Sequence, residues 1–174
     1  EGKVSFAGYS LFETDGKGVY RANVLAADDV IFQYITKFIE PDVLLSVQVS
    51  LLSYFQETVG SYYNGYFGVD MLIFRQDDSF FLHPCVEINL RMTMGMVARL
   101  FCNNFMDSSM VGHFYVDYCA EPDSLYSDHV HREKSFPVHV VDGKMLGGYI
   151  PLTPVTPNSH YRIRVEIVHD KWVL

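Results

Sequence analysis

Apolar and polar residues alternate strictly from Val86 to Arg91. Val86, Ile88 and Leu90 fall on one face of a strand, and Glu87, Asn89 and Arg91 on the other. The stretch before it alternates as well, with Val69, Met71 and Ile73 opposite in parity to Asp70. Between them lies the polar run Gln76-Asp77-Asp78-Ser79, so the pattern predicts a β-hairpin. A turn closing between Asp78 and Ser79 sets Asp70 directly opposite Glu87. Pro84 interrupts the second strand, which predicts an edge or a bulge and leaves the register open to a shift.

Upstream, residues 3–9 and 18–25 are β-like and apolar-rich, joined by a turn at Glu13-Thr14-Asp15-Gly16-Lys17-Gly18. Asp28-Asp29 opens a helix of about a dozen residues to Ile39, because acids at a helix start complement the dipole and cap free amides. Pro41 ends it or starts the next. From Asp42 to about Gly60, Ser46, Ser50, Ser53 and Glu57 recur at helical spacing, which predicts a buried amphipathic helix. After Arg91, Thr93 is a suitable N-cap for a helix carrying Val97, Leu100, Phe101 and Phe105.

Beyond Ser108 the pattern gives a strand over 110–119, a hairpin of 136–141 and 145–150 across Asp142-Gly143-Lys144, and a closing strand over 161–169. Ala120–Lys134 is polar and reads as a loop. These elements predict an α+β chain, an antiparallel sheet with helices packed on one face. Residues 1–108 form the core and residues 109–174 a β-rich extension on the same domain.

Composition narrows the partners. The chain has 174 residues, 49% of them hydrophobic and 15% aromatic, enough for one domain with its own core. Its net charge of −8 argues against nucleic acid or an anionic membrane as the main partner. Three cysteines, Cys85, Cys102 and Cys119, show no Cys-x-x-Cys spacing, so a reduced, cytoplasmic setting is expected. The longest apolar stretch, Val43 to Phe55, is broken by Ser46, Gln48, Ser50 and Ser53, so no membrane span is expected. The chain opens at Glu1 without an initiating methionine or a signal-peptide pattern, as a piece of something longer would.

Two carboxylates facing each other across a hairpin repel. A bound cation removes that cost, and Asp70, Glu87 and the Asn89 amide oxygen form a plausible hard-cation set. The plainer alternative is a solvated strand face. The strand runs straight into a helix start, where free amides favour an anion, so phosphate and metal could share one place. Arg21 and Asn23, on one face after the glycine-bearing turn, are supporting candidates for holding a cofactor. His129 and His131 lack further ligands at zinc spacing and are expected to be ordinary loop residues. His83 and Cys85 lie two apart, side by side on a strand, so they do not form a Cys–His nucleophile.

Gly68-Val69-Asp70 followed by Cys85-Val86-Glu87-Ile88-Asn89-Leu90-Arg91 resembles the C-terminal half of an ATP-grasp enzyme. The run from Ser10-Leu11-Phe12 to Asn23 and the flanks Tyr66-Phe67-Gly68 and Met92-Thr93-Met94-Gly95 are similar to a poorly characterised bacterial group within it. The resemblance implies that Asp70 is a first magnesium ligand, that Glu87 bridges two Mg²⁺ ions and that Asn89 binds the second. Arg91 then steadies the transferred phosphoryl group or the acyl phosphate. It further implies a missing N-terminal half that supplies the adenine pocket, so the fragment alone is expected to be inactive. The chemistry implied is an ATP-dependent carboxylate–amine ligation through an acyl phosphate. The alternatives are a non-catalytic binding module and a metal-dependent hydrolase on the same carboxylates, with His83 as its base.

Overall fold

The computed structural model describes residues 2–168. Its elements, in order, are β1 (Phe12–Thr14), β2 (Tyr20–Leu25), α1 (Asp28–Ile35), α2 (Pro41–Thr58), β3 (Gly68–Gln76), β4 (Ser79–Asn89), α3 (Met94–Phe105), β5 (Val111–Tyr118), α4 (Pro122–Ser135), β6 (His139–Val141), β7 (Lys144–Pro151) and β8 (Tyr161–Val168). The fold is α+β. A six-stranded antiparallel sheet has the order β1-β2-β5-β8-β7-β6, and β3 with β4 forms a separate two-stranded sheet. The chain divides into two compact units. Residues up to Tyr9 join Asp28–Met96 in the first, and Ser10–Ala27 join the residues from Val97 onward in the second.

In the hairpin unit, α1 buries Ile31 and Ile35 and gives way to tight turns, with Lys37 and Phe38 donating to the carbonyls three residues back. Helix α2 starts with Pro41 in its first turn, as its sequence predicts. Only Leu44 and Phe55 of α2 are buried, so the broad apolar stripe that reads as core is largely open among the described residues. Residues 3–9 are not a strand. Gln56 takes the place of a ladder partner, accepting from the Val4 amide at 2.8 Å and donating to the Gly2 carbonyl, while the Tyr9 hydroxyl donates to Gln48. Edge-to-face contacts of Phe55 with Phe67 (4.9 Å) and of Phe38 with Phe80 (5.0 Å) tie the unit together.

In the sheet unit, alternation sends Phe114 of β5 and Val165 and Ile167 of β8 to one face. There they meet Leu25, Met145 and the α3 residues Ala98, Phe101 and Cys102. The buried stripe of α3 sits one position round from the predicted one, and Val97 and Phe105 stay exposed. The opposite face is charged. Arg162, Arg164 and Glu166 alternate with the core residues of β8, and Asp117 of β5 pairs with Arg162. Helix α4 covers part of this face, adding cover on a second side where the sequence pattern places helices on one.

Ala120–Lys134 reads as a loop because it lacks an apolar stripe, yet it forms α4 from Pro122 to Ser135. Its anchor is ionic. Asp128 accepts from Arg162 at 2.8 Å, Arg132 pairs with Glu166, and buried His129 shares a 2.8 Å hydrogen bond with the Tyr149 hydroxyl. On a helix, His131 projects away from His129 and is exposed.

The β6–β7 turn is Asp142-Gly143, both at positive φ (50° and 77°), as a two-residue hairpin loop requires. The strand expected to end at His169 is described to Val168, and its last residue lies outside the described residues. All three cysteines are free, and no helix among the described residues is long and apolar enough to cross a membrane.

Candidate functional site

The β3–β4 register places Asp70 opposite Glu87, Gly68 opposite Asn89 and Val69 opposite Ile88. Two departures from the simple hairpin cancel to give this result. The turn is Asp77-Asp78, one residue earlier than the pattern suggests, since Gln76 pairs with Ser79. Asp77 takes φ 53°, a left-handed conformation that aspartate tolerates better than most residues. The pairing then runs regularly to Leu72 and His83 and slips between Leu72 and Asp70. Pro84, Cys85 and Val86 bulge out there, where the missing proline N–H needs no ladder partner. The bulge restores the register that brings the two acids together.

Directly opposed residues share a face of an antiparallel pair. One face therefore carries Gly68, Asp70, Glu87 and Asn89, continues through Leu72 and His83, and ends in Phe74 and Phe81, whose rings stack at 5.8 Å. Asp70 and Asn89 are half-buried, and Glu87 and Arg91 are exposed. Asn89 Nδ2 donates to Asp70 Oδ2 at 3.4 Å, and Arg91 Nη2 donates to Asn89 Oδ1 at 3.0 Å. Burial raises the Asp70 pKa above the usual carboxylate value, the Glu87 charge raises it further, and Arg91 pulls it back down.

An exposed guanidinium at one end does not offset two facing carboxylates. The two carboxylates offer oxygen donors, which suit magnesium or calcium and not zinc, while Asn89 turns its Nδ2 to Asp70 and its Oδ1 to Arg91. Among the described residues no group of three or more His, Cys, Asp or Glu gathers as a metal cage, so a cation here would take the two carboxylates, joined by the Asn89 oxygen once that oxygen leaves Arg91. That incomplete shell fits magnesium, which keeps waters and phosphate oxygens as its other ligands.

Beyond Asn89 the chain tightens, with the Arg91 amide donating to the Asn89 carbonyl at 2.8 Å. Thr93 caps α3 as its sequence suggests, its Oγ1 accepting from the Met96 amide at 3.2 Å. Arg21 and Asn23 lie on β2 in the other unit. Arg21 is exposed. Asn23 is 2% exposed, with its side chain committed to the fold. It accepts from the Tyr20 hydroxyl at 2.6 Å and donates to Ser10 Oγ and the Leu11 carbonyl.

Asp70→Asn removes the repulsion while keeping the shape. It is expected to raise the stability of the cation-free protein at pH 7 by a few tenths of a kcal/mol, on the ~0.2–1 kcal/mol scale of cross-strand pairs. Thermal unfolding with and without millimolar Mg²⁺ checks this: wild type gains from the cation and the variant does not.

Compared with known proteins, the chain matches no family model, no curated protein and no solved structure.

Proposed function

We propose that this chain is the metal- and phosphate-binding half of an ATP-dependent carboxylate–amine ligase of the ATP-grasp type, working with an N-terminal half that holds the adenine. The observation that carries the proposal is the register that sets Asp70 against Glu87, with Asn89 beside them and Arg91 bonded to the Asn89 amide. Asp70 and Glu87 would hold magnesium, joined by Asn89 once its Oδ1 leaves Arg91, and the ion would neutralise phosphate charge and polarise the transferred group. Arg91, exposed and planar, is suited to a two-point grip on phosphoryl oxygens. The exposed Leu72, Phe74 and Phe81 on the same face offer apolar contact further along a nucleotide.

In the reaction a substrate carboxylate oxygen attacks the γ-phosphorus and ADP leaves. An amine then attacks the acyl carbon and inorganic phosphate leaves. The residues named serve the first step by fixing oxygens in line and countering the charge that builds on them.

The test uses the protein carrying both halves, with ATP, Mg²⁺, a panel of small carboxylates and hydroxylamine as the trapping amine. Magnesium-dependent ADP and a hydroxamate from one of the carboxylates are expected. Phosphate release that needs no acceptor and yields no hydroxamate rejects ligation in favour of hydrolysis. Nucleotide binding without turnover identifies a binding module.

A further inference from the structure

Gly68 leads β3 and faces Asn89, two residues from Asp70 on the face that carries the acids. A Cβ built there would lie 2.9 Å from Thr93 Cγ2, 3.6 Å from its Oγ1 and 3.8 Å from its own Cβ. The first distance is far inside a methyl–methyl contact. A side chain on Gly68 would project from the Asp70 and Asn89 face, so the Thr93 side chain occupies that space. Thr93 thus rests on the floor of the acid site as well as capping α3.

Its fixings are few and specific. The threonine oxygen accepts from the Met96 amide, and its methyl lies over Gly68. Arg91 and Met92 form the short link back to Asn89, and Arg91 is already turned onto Asn89 through its backbone amide and its Nη2. Asn89 in turn donates to Asp70. Gly68 touches Thr93, the chain carries Thr93 back through Met92 to Arg91, and hydrogen bonds join Arg91 to Asn89 and Asn89 to Asp70; the Gly68–Thr93 fit is the one step that depends on a missing side chain.

We propose that Gly68 and Thr93 form a positioning pair for the acid site, the glycine leaving room for the Thr93 side chain, whose capping oxygen fixes the Asn89–Thr93 segment and with it the Asn89 amide beside Asp70 and the Arg91 guanidinium on Asn89. This rests on the cation-site reading proposed above. A β-carbon at position 68 pushes Thr93 off the strand and carries the Asn89–Thr93 segment with it. A serine at position 93 keeps the capping oxygen and removes the methyl that collides. The two positions therefore compensate in one predicted combination, and Mn²⁺ affinity read on folded protein, beside the unfolding curves, separates positioning from a loss of stability.

The experiment measures Mn²⁺ binding to the whole chain by electron paramagnetic resonance, beside thermal unfolding, for wild type, Gly68→Ala, Thr93→Ser and the double variant. Gly68→Ala is expected to weaken Mn²⁺ binding about tenfold or more, the scale for losing a group that orients metal ligands. Thr93→Ser alone is expected to stay within about twofold of wild type, and adding it to Gly68→Ala is expected to recover most of the loss, as coupled neighbours do. If Gly68→Ala fails to fold, recovery of both folding and Mn²⁺ binding in the double variant supports the pair. Equal affinity in wild type and Gly68→Ala, or no recovery in the double variant, overturns it while leaving the acid site standing. A wild-type chain that binds no Mn²⁺ overturns the cation site and the pair together.

Discussion

Glu87→Ala is expected to lower magnesium-dependent ADP formation by roughly a hundredfold or more, the scale of removing one charge-stabilising group from an active site. Glu87 is exposed, and among the described residues its carboxylate makes no hydrogen bond or ion pair, so the fold does not depend on it. Removing it also relieves the repulsion that raises the Asp70 pKa. The variant should therefore fold as well as wild type or slightly better. Glu87→Gln should fail nearly as badly, since it keeps the shape and loses the charge. Loss of activity without loss of stability is the signature to look for, by ADP release beside a urea unfolding curve. Unchanged turnover in either variant removes Glu87 from the chemistry.

Asp117→Ala has the largest expected effect on stability. Asp117 Oδ2 accepts from Arg162 Nε at 3.0 Å, Arg162 Nη2 at 2.8 Å and Arg164 Nε at 2.6 Å. Arg162 is 3% exposed and Arg164 is 8% exposed, with its guanidinium 3.8 Å over the Tyr115 ring. Without the aspartate, two buried cations are left with Asp128 and Glu166 between them. Breaking a buried pair on one side costs about 3–5 kcal/mol, and the partial exposure of Asp117 places this case toward the lower end. The urea midpoint of the sheet unit measures it. Arg75→Ala, which breaks an exposed pair with Asp78, is the control that should leave the midpoint in place.

Asp128 and Asp70 respond to acid in opposite directions. Desolvation pushes the Asp128 pKa up, but hydrogen bonds from Arg132 and Arg162 outweigh it and hold the pKa low. Its contribution is present above the unfolded-state value and is lost as pH falls through the folded one. The Asp70 pKa is raised, so its folded form takes up a proton first and gains stability as pH falls toward the unfolded-state value. Acidification thus relaxes the acid site while loosening the anchor of α4.

What the sequence made legible follows from how local each cause is. The facing of Asp70 and Glu87 could be read because alternation fixes strand faces, although the expected turn was a residue late and the Pro84 bulge made up the difference. Residues 3–9 look like a strand because apolar content cannot distinguish a sheet ladder from a segment held by Gln56. The order of Pro122, Asp123 and, at the far end, Arg132 and Lys134 is a helix signal, but the polar surface between them hides it. What holds α4 in place is Asp128 meeting Arg162 and Arg132 meeting Glu166, residues 34 positions apart. No local pattern encodes such a partner. The alternation over 161–168 marks a strand, but not that Arg162 and Arg164 on its charged face are buried against Asp117.

The strand order of the larger sheet has a consequence for synthesis. β2 pairs with β5, Val24 against His113, and all of α1, α2, β3, β4 and α3 intervene in the chain. On the ribosome β2 emerges long before its neighbour exists, while β3 and β4 can close across a two-residue loop as soon as both are out. The nascent protein should therefore acquire its acid-bearing hairpin early and pass through a stage in which β2 has an open edge. Variants that slow pairing of β5 lengthen that stage, and their defect would appear as aggregation during expression before any loss of stability in the finished molecule.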